Sequence, residues 1–276
     1  MPFTLSHPAA VLPFLRGGRP RGPLVASALV AGSLAPDVPF FTESLVHGTF
    51  RYGTFTHSLA GIPTADVGIA AALVAGWHWL LREPLVALLP ARWADAADAL
   101  TSPSGRGPGP ADAAWFTVSA VLGAVTHVGW DAFTHDGRVG VRLLPVLAHT
   151  VAGRPVYTWL QIGCSAAGLA VLGWYVPHML RRDAVSPAPA TAPPPPSGPR
   201  MSGRAKAAVA ALVSAAAAAG AGRRLSGWTP GPGGPFSHLL DALPSALFGA
   251  GTGAAVGLTA YAAVSRGATV LRRRTR

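Results

Sequence analysis

Long stretches without a single charge limit the folds open to this chain more than any other feature. Twenty-six uncharged residues separate Arg154 from Arg181, 24 separate Asp241 from Arg266, and 18 separate Asp112 from Asp131. A helix needs about 20 apolar residues to cross the ~30 Å hydrocarbon core of a bilayer. Two of these runs are long enough outright. Residues 67–81 reach 20 when extended back to 62, provided that Asp66 lies at the membrane surface, and 207–222 form a weaker, alanine-rich candidate of 16 residues. Only 12% of the chain is charged, against roughly 25% in ordinary soluble domains. The sequence therefore predicts an all-α fold, a polytopic membrane helix bundle with about five transmembrane helices plus short re-entrant or interfacial helices.

The 22 basic residues outnumber the 11 acidic ones, but they are scattered through loops rather than gathered on one polar face. No nucleic-acid partner is expected, and the lipid bilayer is the partner that the pattern implies. Twenty-one of the basic residues are Arg and one is Lys206, a bias that points to a high-GC bacterial source and so to a multi-pass protein of the bacterial cell membrane. No basic residue precedes the apolar stretch 8–15, so the N-terminus does not read as a secretory signal. Cys164 is the only cysteine, which rules out a disulfide within the chain and a cysteine-based zinc site; inside an apolar run it reads as a lipid-facing or packing residue.

Residues 183–206 include four consecutive prolines at 193–196 and read as a disordered Pro-rich linker. The linker divides a membrane bundle, 1–182, from a C-terminal two-helix membrane tail, 207–276. In the tail Gly249, Gly253 and Gly257 recur every four residues, which aligns them on one helix face where another helix can approach closely. Residues 101–110 read as a surface loop. The bundle holds eight of the nine histidines, so any chemistry belongs there.

Four short segments in the bundle carry polar residues that apolar packing does not require: LSHPAAVLP at 5–13, GSLAPD at 32–37, TFTHS at 54–58 and THVGWDAFTH at 126–135. His127 and Asp131 are four apart and share a helix face, with His135 two turns on. Imidazole nitrogen and carboxylate oxygen are ligands for zinc and similar ions, and a catalytic site needs three or more of them. His7, Asp37, His57, His127 and Asp131 suffice for one divalent ion and, with a bridging carboxylate, for two. One helix down and one back would return them to the same membrane side. Each residue alone has a plainer reading: His127 with Asp131 as a hydrogen-bonded pair, His57 with Ser58 as a helix cap, Asp37 after Pro36 as a turn, His7 before Pro8 as an ordered terminal residue. His78, between Trp77 and Trp79, reads as interfacial. His47, His149, His178 and His238 receive no role. Arg51, Arg138 and Arg142 are candidates to hold a phosphate.

SHPAAVLP, GSLAPD, TFTHS and HxxWDxFTH, in that order, resemble an uncharacterised family of bacterial integral membrane proteins. The resemblance covers about residues 1–182 and leaves 200–276 as an extension outside it. More distantly, the order of histidines and aspartates is similar to that of inner-membrane metal-dependent hydrolases and of the zinc-dependent phospholipase C and single-strand nuclease group. This similarity implies that His7, Asp37, His57, His127 and Asp131 are metal ligands, with His135 a further one. It also implies a metal, zinc by preference, that activates water against a phosphoester, the lipid itself being a candidate substrate. Asp37, Asp131 and His135 are then the expected catalytic residues, with Ser58, Thr134 and Asp136 orienting them. No acidic residue lies between Asp136 and Asp183, so a third zinc site lacks its carboxylate. The alternative is a membrane scaffold or transporter in which the same residues form a structural polar or metal site.

The two alternatives for residues 24–36 bear on sidedness. Thirteen helical residues reach only about 20 Å. If they cross, 6 of the 22 basic residues share the site's side of the membrane, and if they re-enter, 9 do.

Overall fold

The computed structural model describes residues 3–102, 109–185, 201–231 and 234–274. Its regular structure is helical, apart from two antiparallel pairs of two-residue strands among the described residues. The longer helices are α1 Ala26–Leu34, α2 Ile62–Leu88, α3 Ala91–Thr101, α4 Pro110–Thr134, α5 Val156–Val185, α6 Gly203–Leu225 and α7 Pro235–Arg274. Five of these, α2 and α4 to α7, are long and apolar enough to cross a membrane. The expected runs are all present. The weak candidate at 207–222 becomes a 23-residue helix, so residues 203–206, expected as linker, are helical. Residues 186–200 of that linker and 103–108 of the expected surface loop lie outside the described residues.

The expected extension of the 67–81 run back to 62 is present, and Asp66 lies in the first turns of α2, fully buried. The helix begins four residues earlier, at Ile62, with a π-helical turn over Ile62–Asp66 that packs on α4. Hydropathy counting treats any carboxylate as a boundary and cannot register that protein, rather than lipid, surrounds it.

The chain divides into two compact units, Met1–Val74 with Arg106–Val176, and Ala75–Gly105 with Pro177–Arg276. In the first unit α1 has nine residues, or ~14 Å of helix, too short to cross. It packs against α4 through an alanine core of Ala28, Ala31, Ala35, Ala70 and Ala120. A methyl group added at Gly32 would lie 2.2 Å from the Ala120 carbonyl oxygen, and one at Gly123 would lie 2.2 Å from that of Leu29. The backbones thus meet more closely than any residue but glycine allows, as small residues permit between membrane helices. The 3-10 segment Thr4–Phe14 lies against both helices, and the Phe3 amide donates to Ser165 Oγ on α5 at 2.7 Å.

In the second unit α6 and α7 form a hairpin with the same device. A methyl at Gly253 would lie 2.0 Å from the Ala216 carbonyl oxygen, and Gly220 and Gly249 face each other with equally little space. Tyr261 donates to the Pro84 carbonyl at 3.1 Å and Arg266 Nε to that of Leu80 at 3.0 Å, tying α7 to the end of α2 within this unit.

Leucine at Gly32 has only backbone to displace, and overpacking of this kind costs about 1–3 kcal/mol. Gly32→Leu should lower the thermal unfolding midpoint of the detergent-purified protein well below that of Gly129→Leu, whose site has open space around it.

Candidate metal centre

Each polar segment reaches the same place by its own local logic. Pro36 gives the Ser33–Asp37 stretch no amide to continue α1, and a 3-10 turn over Ala35–Asp37 swings the carboxylate inward. His57 ends the helical turn Gly53–Thr56. Gly53 is required there, because a methyl group would lie 2.1 Å from the Phe40 ring. His127 and Asp131 point one way from the last two turns of α4. His7 comes from the N-terminal 3-10 segment, and its ring stacks on that of His127 with centroids 3.7 Å apart and planes 12° from parallel. All five residues are buried.

Their functional atoms converge. His57 Nε2 lies 3.5 Å from Asp37 Oδ1 and 3.4 Å from Asp131 Oδ2, and His127 Nε2 lies 3.4 Å and 3.6 Å from the same two oxygens. One ligand atom from each of the four residues falls within 4.8 Å of all the others. On the far side, Asp131 Oδ1 is 3.7 Å from His7 Nε2 and 3.7 Å from His135 Nδ1.

Two features fit this group to a cation. Charge-assisted N–H···O⁻ bonds run at about 2.7–2.9 Å, and the four contacts are longer by half an ångström or more. A tetrahedron of nitrogen and oxygen ligands about 2.0–2.2 Å from a central ion has edges of ~3.3–3.6 Å, and the four imidazole–carboxylate contacts have that spacing. The second feature is the tautomer. His127 Nδ1 lies 2.7 Å from the Ser33 carbonyl and His57 Nδ1 lies 2.8 Å from that of Gly53. A carbonyl only accepts, so both Nδ1 atoms carry hydrogen, and in the neutral form both Nε2 lone pairs face the carboxylates. His127 Nε2 and Asp37 Oδ1 are buried without hydrogen-bond partners among the described residues. The Asp37, His57, His127 and Asp131 group can hold a metal ion.

Neighbouring groups complete the picture. Thr4 Oγ1 donates to Asp37 Oδ2, a contact that sequence reading missed because a threonine three residues before His7 carries no pattern of its own. Thr56 Oγ1 donates to the Pro36 carbonyl at 2.7 Å, tying the His57 turn to the Asp37 turn. His135 Nδ1 donates to the Asp131 carbonyl at 3.1 Å, with Thr134 Oγ1 also at 3.1 Å. Its Nε2, like that of His7 and like Asp131 Oδ1, is buried without a partner. Ser58 Oγ instead accepts from the Gly61 amide, the capping role that was its plainer reading, and Asp136 is exposed. Arg51 lies over the Tyr52 ring. His47, given no role, has Glu43 one helical turn before it at 2.8 Å, on an exposed loop.

Burial holds the His7 imidazole down at about 3, with His127 beside it adding to the drop. His135 is likewise pushed down by burial, to about 4. Both are neutral at ordinary pH, the form in which imidazole binds metals. For His57, burial also opposes charge, but the facing Asp131 and Asp37 carboxylates outweigh it and lift the group above its usual value. Burial works to raise the Asp37 carboxyl, yet His127 and His57 hold it well below the carboxylate range. In the ion-free protein a proton therefore competes for the position that a cation would take.

Removing the hydroxyl that orients Asp37 should weaken metal binding by about 10–100-fold, the usual effect of losing such a partner. Thr4→Val should show this in competition with a chromophoric chelator, with helix content unchanged.

No curated protein and no solved structure matches this chain. A family model described as a domain of unknown function, DUF4184, matches residues 1–263. The match takes in most of the tail, which the four motifs alone had left outside their family. Spanning nearly the whole sequence, it shows that the chain belongs to the DUF4184 family of unknown function.

Proposed function

We propose that this protein is a membrane-embedded, metal-dependent hydrolase of the bacterial cell membrane. Its ion would be zinc and its substrate a phosphoester, with the phosphodiester of a membrane lipid as the nearest source. The observation that carries this reading is the square of contacts at 3.4–3.6 Å joining two Nε2 atoms to two carboxylates. Asp37, His57, His127 and Asp131 would hold the ion, and a divalent ion there supplies a Lewis acid and a bound water acidified to about pH 7.

The atoms beyond the four ligands favour an enzyme over a closed structural site. A structural zinc site is complete once its four ligands are in place. Here His7 Nε2, His135 Nε2 and Asp131 Oδ1 remain buried and unpaired beside the ligands. The His135 side chain keeps 21% of its surface exposed, so the cluster borders the protein surface at that point. A neutral His135 accepts a proton or an ion at Nε2 and does not donate one there. Asp131, with Oδ2 toward the four-ligand group and Oδ1 toward His7 Nε2, would bridge to a second ion beside His7. Arg138 and Arg142 follow within two turns of chain and would hold phosphate oxygens.

The test is elemental analysis of detergent-purified protein, wild type beside His127→Ala and Asp131→Ala, with hydrolysis of bis(p-nitrophenyl) phosphate assayed in parallel. The wild type should carry a divalent ion and each variant should lose it, together with any phosphodiesterase activity. Equal metal in all three, or none in the wild type, would sink the proposal, while full metal without activity would favour the structural reading. Because His57 is lifted above its ordinary value when no ion is bound, protons displace the ion as pH falls. Retention should be complete near pH 8 and decline steadily below about pH 6.

A further inference from the structure

Asp66 is fully buried, and neither of its carboxylate oxygens has a hydrogen-bond partner among the described residues. It ends the π-helical turn Ile62–Asp66 at the start of α2, and single π turns in α-helices recur at functional positions. That turn packs against α4, the Gly53–Thr56 turn and the Ala35–Asp37 turn. These are the segments that carry or adjoin His127, His57 and Asp37, and the same three residues are the electrostatic neighbours of the Asp66 carboxylate. Asp131 Oδ1, in contrast, faces His7 and His135.

A buried carboxylate without a donor is strongly unfavourable. Among the described residues no hydrogen-bond donor answers it, so it is either neutral or partnered from outside the protein. Asp66 does not belong to the group of ligand atoms that lie within 4.8 Å of one another, so it stands behind the ligands rather than among them. With four protein ligands in place, a water or substrate can join the ion only by expanding its coordination to five.

We propose that Asp66 is a positioning residue: it accepts a hydrogen bond from the water that completes the ion's coordination, and so marks the centre's open position. This rests on the metal reading above. A group with two free acceptor oxygens, held rigidly by helix backbone, fixes where that water sits and which way its hydrogens point. When ionised, it also places one negative charge beside the open position. An anion that replaces the water meets that charge and is repelled by it. The arrangement therefore favours water over anions at the resting centre, and Asp66 sets that preference.

The test uses the full-length chain in detergent, loaded with Co2+, as wild type, Asp66→Asn and Asp66→Ala. Metal content is measured first, and azide is then titrated while the visible Co2+ absorption is followed. All three proteins should hold the same amount of metal, and azide should bind both variants at least about tenfold more tightly than wild type, in line with removal of one nearby charge. Asn preserves the size of the side chain and Ala removes it, so either variant that retains wild-type helicity and a single gel-filtration peak gives the answer. Unchanged azide affinity with full metal content would overturn the assignment. Loss of metal in the variants alone would also overturn it, by making Asp66 a ligand. Wild-type protein without metal would remove the metal reading itself, an outcome that metal content separates from the other two.

Discussion

Two imidazoles that have spent their only ring hydrogen on backbone carbonyls face two buried carboxylates, and the rest of the site follows from that. With Nδ1–H committed to Ser33 and Gly53, the Nε2 lone pairs of His127 and His57 point at anionic oxygens. Lone pair against lone pair is repulsive, the more so in a poorly solvated interior. The arrangement is stable only when something positive lies between them. A proton can sit there, but it serves one nitrogen and one oxygen at a time and would draw them closer than 3.4 Å. A divalent ion satisfies all four atoms at once at the spacing present.

Much of the first unit can be understood as holding those two carbonyls still. The Ser33 carbonyl belongs to the last turn of α1, where no amide further along the chain is available to use it. Gly32 and Gly123 bring α1 and α4 together closely enough for His127 to reach that carbonyl. The Gly53 carbonyl plays the same part for His57 one turn later in the chain, and the Phe40 ring lies where a side chain at Gly53 would have to go. Phe40 is in turn packed against Phe50 and the His57 ring. Glycine is needed at these positions to let backbone or ring approach, and none of the three has an unusual φ angle.

The share of this that could be read from the sequence divides along physical lines. Uncharged runs revealed the spanning helices because lipid imposes its demand residue by residue. His127 and Asp131 were visible as a pair because helical spacing is local. His7, Asp37 and His57 were visible only as members of recurring polar segments, and their meeting is a property of the folded chain. Thr4 and the acceptor carbonyls of Ser33 and Gly53 left no trace, since a hydroxyl or backbone group has the same sequence signature in every role. The burial of Asp66 was not legible: a charge within an apolar run looks the same whether it faces headgroups or a buried site. Gly249, Gly253 and Gly257 correctly announced a close helix contact, although nothing in their spacing named Gly220 and Ala216 as the partners.

The position of the centre along its helices is also constrained by charge. His127 lies seven residues from the end of α4 and His57 five residues before the start of α2, so the site sits within about 10 Å of these helix ends. Two carboxylates with a divalent ion and neutral imidazoles form a group of zero net charge, which a low-dielectric setting tolerates far better than two bare anions. Asp66 makes the sum negative by one. When Asp66 is ionised, that surplus disfavours an incoming anion at the centre, a consequence that an apolar residue, although it would pack at lower cost, could not have.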